Sequence, residues 1–328
     1  MEPLEDFYSP QFAELTNGER LSYREFGSGN DILLHLGDIG LSSLWTVPFY
    51  RLQQPANRYR VIAVDLRSTG LSSYNTPLKS MTQLASDVKS VLDFLGYDRI
   101  HAILGQSYGC SIAIELVGLY PYLSSTLVLL NPLPYSPKLW KSCSPEKKES
   151  MMDDGSNCSN WRPIIRLLEK AQSSRSKEDA SDHLVSGLKG TYGFHYQQAI
   201  EECLNTRDYR SHVELACTTD LEELVSKIKI PVLVVASKKS EPFGDKVAKC
   251  LKDILPASEI IIEETQSPFV QENASELQAF MHKMIEWLDR QMFALDLPNG
   301  EKISYRRYGY GSQPVVMVHP WLASNEYF

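Results

Sequence analysis

The chain has 328 residues, 43% of them apolar, and carries a formal net charge of −8 with a pI near 5.5. This apolar share predicts a sizeable core, and the acidic balance leaves no basic stripe for nucleic acid or an anionic membrane. No apolar run approaches the roughly 20 residues of a membrane span, and the acidic N-terminus lacks the features of a secretion signal. We therefore expect a soluble, cytoplasmic protein that binds no nucleic acid.

The six cysteines are scattered along the sequence and form no C-x-x-C pair. Their spacing favours reduced thiols over a disulfide framework or a zinc site. No metal or other cofactor is predicted.

Strand-like and helix-like segments alternate along the first half of the chain. Short apolar runs predict strands over residues 20–26, 31–35, 59–65, 100–104 and 126–130. Apolar residues recur with helical spacing from Leu84 to Leu95, before Gly96, and residues 111–117 predict a second helix. This alternation indicates an α/β protein with a mostly parallel central sheet.

The pattern changes between about residues 132 and 227, where no strong strand is predicted. Helical spacing over residues 161–171, 180–188 and 196–204 predicts a helical cap above the sheet edge. The aromatic residues of this cap either pack it onto the body or line a ligand pocket, and both interpretations stay open. Two further strands, 231–236 and 259–263, and a helix carrying apolar residues from 277 to 288 then complete the domain.

After this helix the sequence starts again. Residues 297–306 resemble residues 15–24 without a gap, and residues 315–320 resemble residues 32–37 after one insertion. The repeat predicts a domain over residues 15–292, followed by an incomplete second copy over residues 293–328. A chance likeness between two hairpins is the alternative, and the ungapped run disfavours it.

Residues 105–109 fit the pattern G-x-S-x-G and lie between an apolar strand and a helix. In that setting the glycines permit a tight, strained turn that lifts the Ser107 hydroxyl above the sheet. The turn also places Ser107 at a helix N-terminus, where backbone N–H groups can stabilise an oxyanion. We therefore predict that Ser107 holds the position of a nucleophile.

With this motif in place, the sequence resembles the α/β-hydrolase family over residues 15–292. Residues 36–40 resemble the family's H-G-x-x-G turn, although Leu36 replaces the histidine. The resemblance implies that the backbone amides of Asp38 and Tyr108 form the oxyanion hole. Residues 65–73 resemble the family's D-x-R-G-x-G-x-S segment, with Ser68 in place of the first glycine.

The other two triad positions depart from the family. The resemblance places the acid at Ser240, with Glu241 one residue later as a possible acid, and places Gln266 where the histidine belongs. A serine hydroxyl needs an adjacent base to attack a carbonyl, and glutamine cannot accept that proton. Loss of the base costs on the order of 10⁶ in turnover in a serine triad.

The seven histidines of the chain offer few substitutes for that base. His35 and His101 lie on predicted strands and are expected to be packed there, His282 is expected to be solvated, and His319 belongs to the repeat. The predicted cap contributes three candidates: His183, His195 and His212.

Three hypotheses follow. The first is a catalytically impaired member, a pseudoenzyme, that binds a small apolar or ester-like molecule or a protein partner. The resemblance supports this, because some relatives that lack the histidine serve as ligand sensors. The second is an active esterase-like, lipase-like or peptidase-like hydrolase that uses Ser107, Glu241 and a base from the cap or a partner chain. The third is a remnant of a tandem two-hydrolase chain.

Overall fold

The computed structural model describes residues 9–46, 50, 59–143, 198, 201–203, 205–238, 245–264, 274–291, 293–296 and 302–305. Within them, eight strands form one sheet in the order β1-β2-β4-β3-β5-β6-β7-β8. The strands are β1 (Gln11–Glu14), β2 (Arg20–Phe26), β3 (Asp31–Leu36), β4 (Tyr59–Val64), β5 (Ile100–Gln106), β6 (Ser124–Leu130), β7 (Val232–Ser237) and β8 (Glu259–Glu263). The second strand runs antiparallel to both of its neighbours, and the other pairs are parallel, which confirms the predicted mostly parallel sheet. Strand β1 precedes the first predicted strand and adds an edge to the sheet.

Seven α-helices have both ends within the described part of the chain. They are α1 (Met81–Phe94), α2 (Tyr108–Leu119), α3 (Pro137–Cys143), α4 (Tyr209–Thr218), α5 (Glu222–Lys227), α6 (Lys246–Ile254) and α7 (Ala274–Arg290). The first begins where the Ser80 side chain accepts a hydrogen bond from the Gln83 backbone, which satisfies an otherwise unpaired donor. The predicted cap helices 161–171 and 180–188 lie outside the described residues. Of the predicted helix 196–204, the described residues 198 and 201–203 are helical.

The core lies on both faces of the sheet. The parallel strands are nearly continuous apolar runs because both of their faces are buried. One face packs against α1 and α2 together with residues of α5 and α6, and the other packs against α7. No described helix is both long enough and apolar enough to cross a lipid bilayer.

Beyond α7, two short strands form a hairpin that is separate from the main sheet. These are β9 (Phe293–Asp296) and β10 (Lys302–Tyr305), which pair only with each other among the described strands. The hairpin has the register of β1 and β2: Glu14 pairs with Arg20 and Ala13 with Leu21, as Asp296 pairs with Lys302 and Leu295 with Ile303.

A buried ionic cluster joins the β2 region to α1. The Arg67 guanidinium donates to both carboxylate oxygens of Asp87, at 2.8 and 2.7 Å, and to Glu19 Oε1 at 2.6 Å. All three side chains are 1% exposed or less. Two buried carboxylates around one planar guanidinium give a bidentate geometry that lysine could not reproduce.

We expect Arg67→Met to lower the free energy of unfolding by about 3–5 kcal/mol, because it leaves two buried carboxylates without their cation. Urea denaturation followed by circular dichroism measures the change. Lys283→Met is the control, because Lys283 pairs with Glu263 at the surface and is 51% exposed. Its effect should stay below about 1 kcal/mol. Equal effects of the two substitutions would show that the buried cluster does not contribute as described.

Candidate functional site

The candidate nucleophile lies in a sharp turn between β5 and α2. Ser107 has φ 52° and ψ −110°, a strained conformation for a residue other than glycine. The turn requires glycine on both sides. A Cβ on Gly109 would lie 2.0 Å from the Leu36 carbonyl oxygen, and one on Gly105 would lie 2.5 Å from the Gly109 carbonyl oxygen.

The backbone of Ser107 is anchored to a neighbouring strand, and its hydroxyl has no hydrogen-bond partner among the described residues. Its N–H donates to the Leu130 carbonyl at 2.8 Å, which anchors the turn to the neighbouring strand. Ser107 is half-buried, and no described residue is hydrogen-bonded to its hydroxyl. The described part of the chain therefore presents a half-buried serine without a proton acceptor.

The loop that follows β3 lies beside this turn. Asp38 Oδ1 accepts hydrogen bonds from the Ile39 amide at 2.8 Å and from the Tyr108 amide at 3.4 Å. The structure thus brings together the two residues to which the family resemblance assigns the oxyanion hole. Their role as oxyanion donors stays a prediction.

The predicted acid and base positions follow the two last strands of the sheet. Strands β7 and β8 run parallel to β5, so their carboxyl ends meet the sheet edge that carries Ser107. Ser240, Glu241 and Gln266 themselves lie outside the described residues. The same holds for three of the histidines: His183, His195 and His319.

His212, on α4 within the predicted cap region, is buried and has partners other than Ser107. Its Nε2 lies 3.1 Å from the Arg67 carbonyl oxygen and 2.9 Å from Ser68 Oγ, and its Nδ1 lies 3.3 Å from the Tyr108 hydroxyl. A carbonyl only accepts, so we assign the proton of the neutral ring to Nε2, which leaves Nδ1 to accept from Tyr108. Burial lowers the pKa of His212 to about 4, partly offset by the bond to Arg67.

Ser68 explains why this histidine is held there. It replaces the first glycine of the family's turn, yet its φ stays at +66°, so a side chain occupies a backbone conformation that favours glycine. The Ser68 hydroxyl is hydrogen-bonded to His212 Nε2. The Ser68 backbone carbonyl accepts a hydrogen bond from the Arg207 amide at 2.9 Å. The substitution is visible in the sequence, but its partner lies 144 residues away along the chain.

These contacts belong to a longer cap segment, residues 205–212, that lies over the sheet edge. Thr206 Oγ1 donates to the Gly40 carbonyl at 3.3 Å, and the Tyr209 ring lies against Gly40. Asp208 accepts from the Tyr74 hydroxyl and caps the start of α4. The cap segment therefore contacts the loop after β3, the turn at Ser68 and the side chain of Tyr108.

The remaining described histidines lie where the sequence placed them. His35 and His101 are buried in β3 and β5, the first with its Nδ1 2.7 Å from the Tyr50 hydroxyl. His282 is 74% exposed and pairs with Glu286 on α7. Among the described residues, no group of His, Cys, Asp and Glu side chains could hold a metal ion.

Comparisons with known proteins agree with this geometry. A family described as the alpha/beta hydrolase fold matches residues 32–273, which is most of the chain. The chain therefore belongs to the α/β-hydrolase family, and the family and fold predicted from the sequence are confirmed.

Similar proteins include hydrolases of several kinds. "Putative carbamate hydrolase RutD" from Azorhizobium caulinodans is 24% identical over 243 residues, which cover 73% of this chain and 84% of that protein. Mouse epoxide hydrolase 4 is 31% identical over 102 residues, 30% of this chain and 27% of that protein. The esterase RhEst1 from Rhodococcus sp. ECU1013 has a TM-score of 0.62 at 23% identity, over 85% of this chain and 99% of that structure.

The buried ring of His212 predicts a pH-dependent stability. Its pKa is about 4 in the folded protein against an ordinary 6.5, so acid protonates the unfolded chain first. Above pH 6.5, His212 makes its full contribution to the free energy of unfolding. As the pH falls toward 4 this contribution is lost, by about 3 kcal/mol in total. We expect His212→Gln to reduce the slope of unfolding free energy against pH in this window, by up to about 1.4 kcal/mol per pH unit. Urea denaturation at a series of pH values measures it.

His35 makes a pH-dependent contribution of its own to the free energy of unfolding, because burial lowers its pKa to about 3. The variant should therefore flatten the curve only in part. His282→Gln, which removes a solvent-exposed histidine, is the control and should keep the wild-type slope. An unchanged slope in His212→Gln would contradict the assignment of a buried, neutral ring.

Proposed function

We propose that this protein is a catalytically impaired α/β-hydrolase that uses the site at Ser107 to bind a small apolar or ester-like molecule. The observation that carries the proposal is the engagement of His212. It is the one described cap histidine, and its ring nitrogens face Arg67, Ser68 and Tyr108 instead of Ser107. With a pKa of about 4, a ring held in this way stays neutral and committed to structural hydrogen bonds.

The triad positions support the same conclusion from the sequence. Gln266 stands at the position of the base and Ser240 at that of the acid. Without a base, a serine site retains only what the oxyanion hole and substrate binding provide, roughly 10³ to 10⁴ over water. The strained turn at Ser107 is kept in the fold, although the sequence replaces the groups expected to transfer protons.

An active serine hydrolase is the second candidate, favoured by the strained turn at Ser107 and by relatives that are named as carbamate hydrolase, epoxide hydrolase and esterase. In that case Glu241 would orient a base supplied by His183, His195 or a partner chain. This arrangement would hydrolyse a small ester or a related acyl compound through a covalent serine intermediate.

Labelling with a fluorophosphonate, read by intact mass, tests catalytic competence. We expect the wild-type protein to label no faster than Ser107→Ala and to show no Ser107-dependent turnover of p-nitrophenyl butyrate, because no base takes the serine proton. The same ester should raise the thermal midpoint, since a ligand that binds only the folded state stabilises it.

The outcomes separate the three hypotheses. Labelling and turnover that depend on Ser107 would establish an active hydrolase and refute the proposal. Neither labelling nor a thermal shift with a panel of small esters and apolar molecules would favour the remnant of a tandem hydrolase. A shift without turnover supports a binding site.

We also propose that residues 15–292, together with the preceding strand β1, are one domain and that residues 293–328 begin a second copy of it. The hairpin of β9 and β10 supports this, because its register repeats that of β1 and β2 at the same 282-residue offset that relates the two sequences. A chance likeness between two ten-residue segments would not require the two hairpins to pair in the same register.

A pair of deletions tests this domain division. Removal of residues 293–328 is expected to leave the thermal midpoint unchanged, because β9 and β10 are not hydrogen-bonded to the main sheet. Removal of residues 1–14 is the matched control. It deletes the equivalent strand β1, which pairs with β2 and buries Ala13, so it should lower the midpoint. Equal losses in both truncated proteins would argue against a separate second unit.

We further propose a cytosolic location and a small-molecule ligand instead of nucleic acid. The net charge of −8 supports the second point, because a polyanion needs a basic surface. Cys110 and Cys203 are buried free thiols, which supports a reducing compartment.

A further inference from the structure

The carboxylate of Asp38 lies beside the backbone amide of Tyr108, the residue that follows the candidate nucleophile. In this family the oxyanion hole needs N–H groups that point at a developing negative charge. Here the Tyr108 amide already donates to Asp38 Oδ1 at 3.4 Å, and the Ile39 amide donates to the same oxygen at 2.8 Å. The donor that follows the nucleophile is therefore paired with an anion supplied by the chain itself.

The fold holds this carboxylate in place. Asp38 lies in the loop between Gly37 and Gly40. Its side chain accepts a hydrogen bond from the backbone amide of the next residue, Ile39. The close approach of Gly109 to the Leu36 carbonyl presses α2 against the end of β3 and brings Tyr108 beside this loop. The cap segment covers the loop from the other side, through Thr206 and Tyr209 at Gly40.

The charge of Asp38 acts on its neighbours. Cys110, the third residue of α2, has a raised pKa chiefly because it is buried, and the negative charge of Asp38 raises it further. An oxyanion formed on a substrate bonded to Ser107 would be repelled by the negative charge of Asp38. It would also have no free N–H from Tyr108 to bind.

We propose that Asp38 blocks the oxyanion hole of its own site and so disfavours acyl transfer independently of the missing base. This inference rests on the proposed function and deepens it. The site would have two separate obstacles to catalysis, one at Gln266 and one at Asp38. Restoring the base alone would then leave most of the rate unrecovered.

The test uses the full chain with the triad restored by Ser240→Asp and Gln266→His. In the labelling reaction the Ser107 oxygen bonds to the phosphorus of a neutral fluorophosphonate, fluoride leaves, and the hydroxyl proton passes to the introduced histidine. The second-order rate constant is measured by intact mass with Asp38 present, with Asp38→Asn and with Asp38→Ala. Asp98→Ala, an exposed site in the loop before β5, is the control for loss of one negative charge.

We expect Asp38→Ala to increase labelling in the restored background by about 100-fold, the lower end of the effect of one oxyanion donor. Asp38→Asn should give an intermediate rate, since it removes the charge but keeps an acceptor for the Tyr108 amide. Rates within threefold of the parent, or no labelling in any of these folded variants, would overturn the proposal.

A second measurement examines the contact directly in the wild-type chain. The ¹⁵N–¹H signals of Ile39 and Tyr108 should follow the titration of a carboxylate and should lose that response in Asp38→Asn. Signals that do not respond in the wild type would overturn the proposal even if labelling changes. The absolute labelling rate of the wild type judges the proposed function, whereas the ratio between Asp38 variants judges this inference.

Discussion

The contact between Gly109 and the Leu36 carbonyl is the constraint on which the site depends. No side chain fits between the start of α2 and the end of β3, because even a Cβ would lie 2.0 Å from that oxygen. The helix consequently begins directly above the sheet, and Ser107 must adopt its strained turn. The same approach places the Tyr108 amide beside Asp38 and the Tyr108 ring beside His212. The contact between Asp38 and Tyr108 and the contact between Tyr108 and His212 both follow from this one close packing.

Much of the fold could be predicted from the sequence because buried parallel strands are short apolar runs with clear ends. Strands β2, β3 and β5 begin where the sequence predicts them, and the G-x-S-x-G pattern is interpretable because it lies between a strand and a helix. Strand β1 is harder to predict. Its residues are mostly exposed, only Ala13 is buried, and its conformation is set by pairing with β2.

The site could be predicted only in outline. Ser107 and the neighbouring Asp38 and Tyr108 follow from motifs, but a motif specifies backbone amides and does not indicate where the Asp38 side chain points. The position of His212 depends on tertiary contacts between residues far apart in sequence, and helical spacing does not reveal them. The exchange of glycine for Ser68 was the one local signal, because a serine with positive φ requires compensation from its surroundings.

The cap segment has a consequence for how the molecule unfolds. Residues 205–212 are hydrogen-bonded to loops that follow β3 and β4, and His212 also contacts the first residue of α2. Detachment of this segment would leave the strained Ser68 backbone without its partners and would expose the Tyr108 ring. We therefore expect the segment and the sheet edge to open together as one cooperative unit and not as a hinged flap.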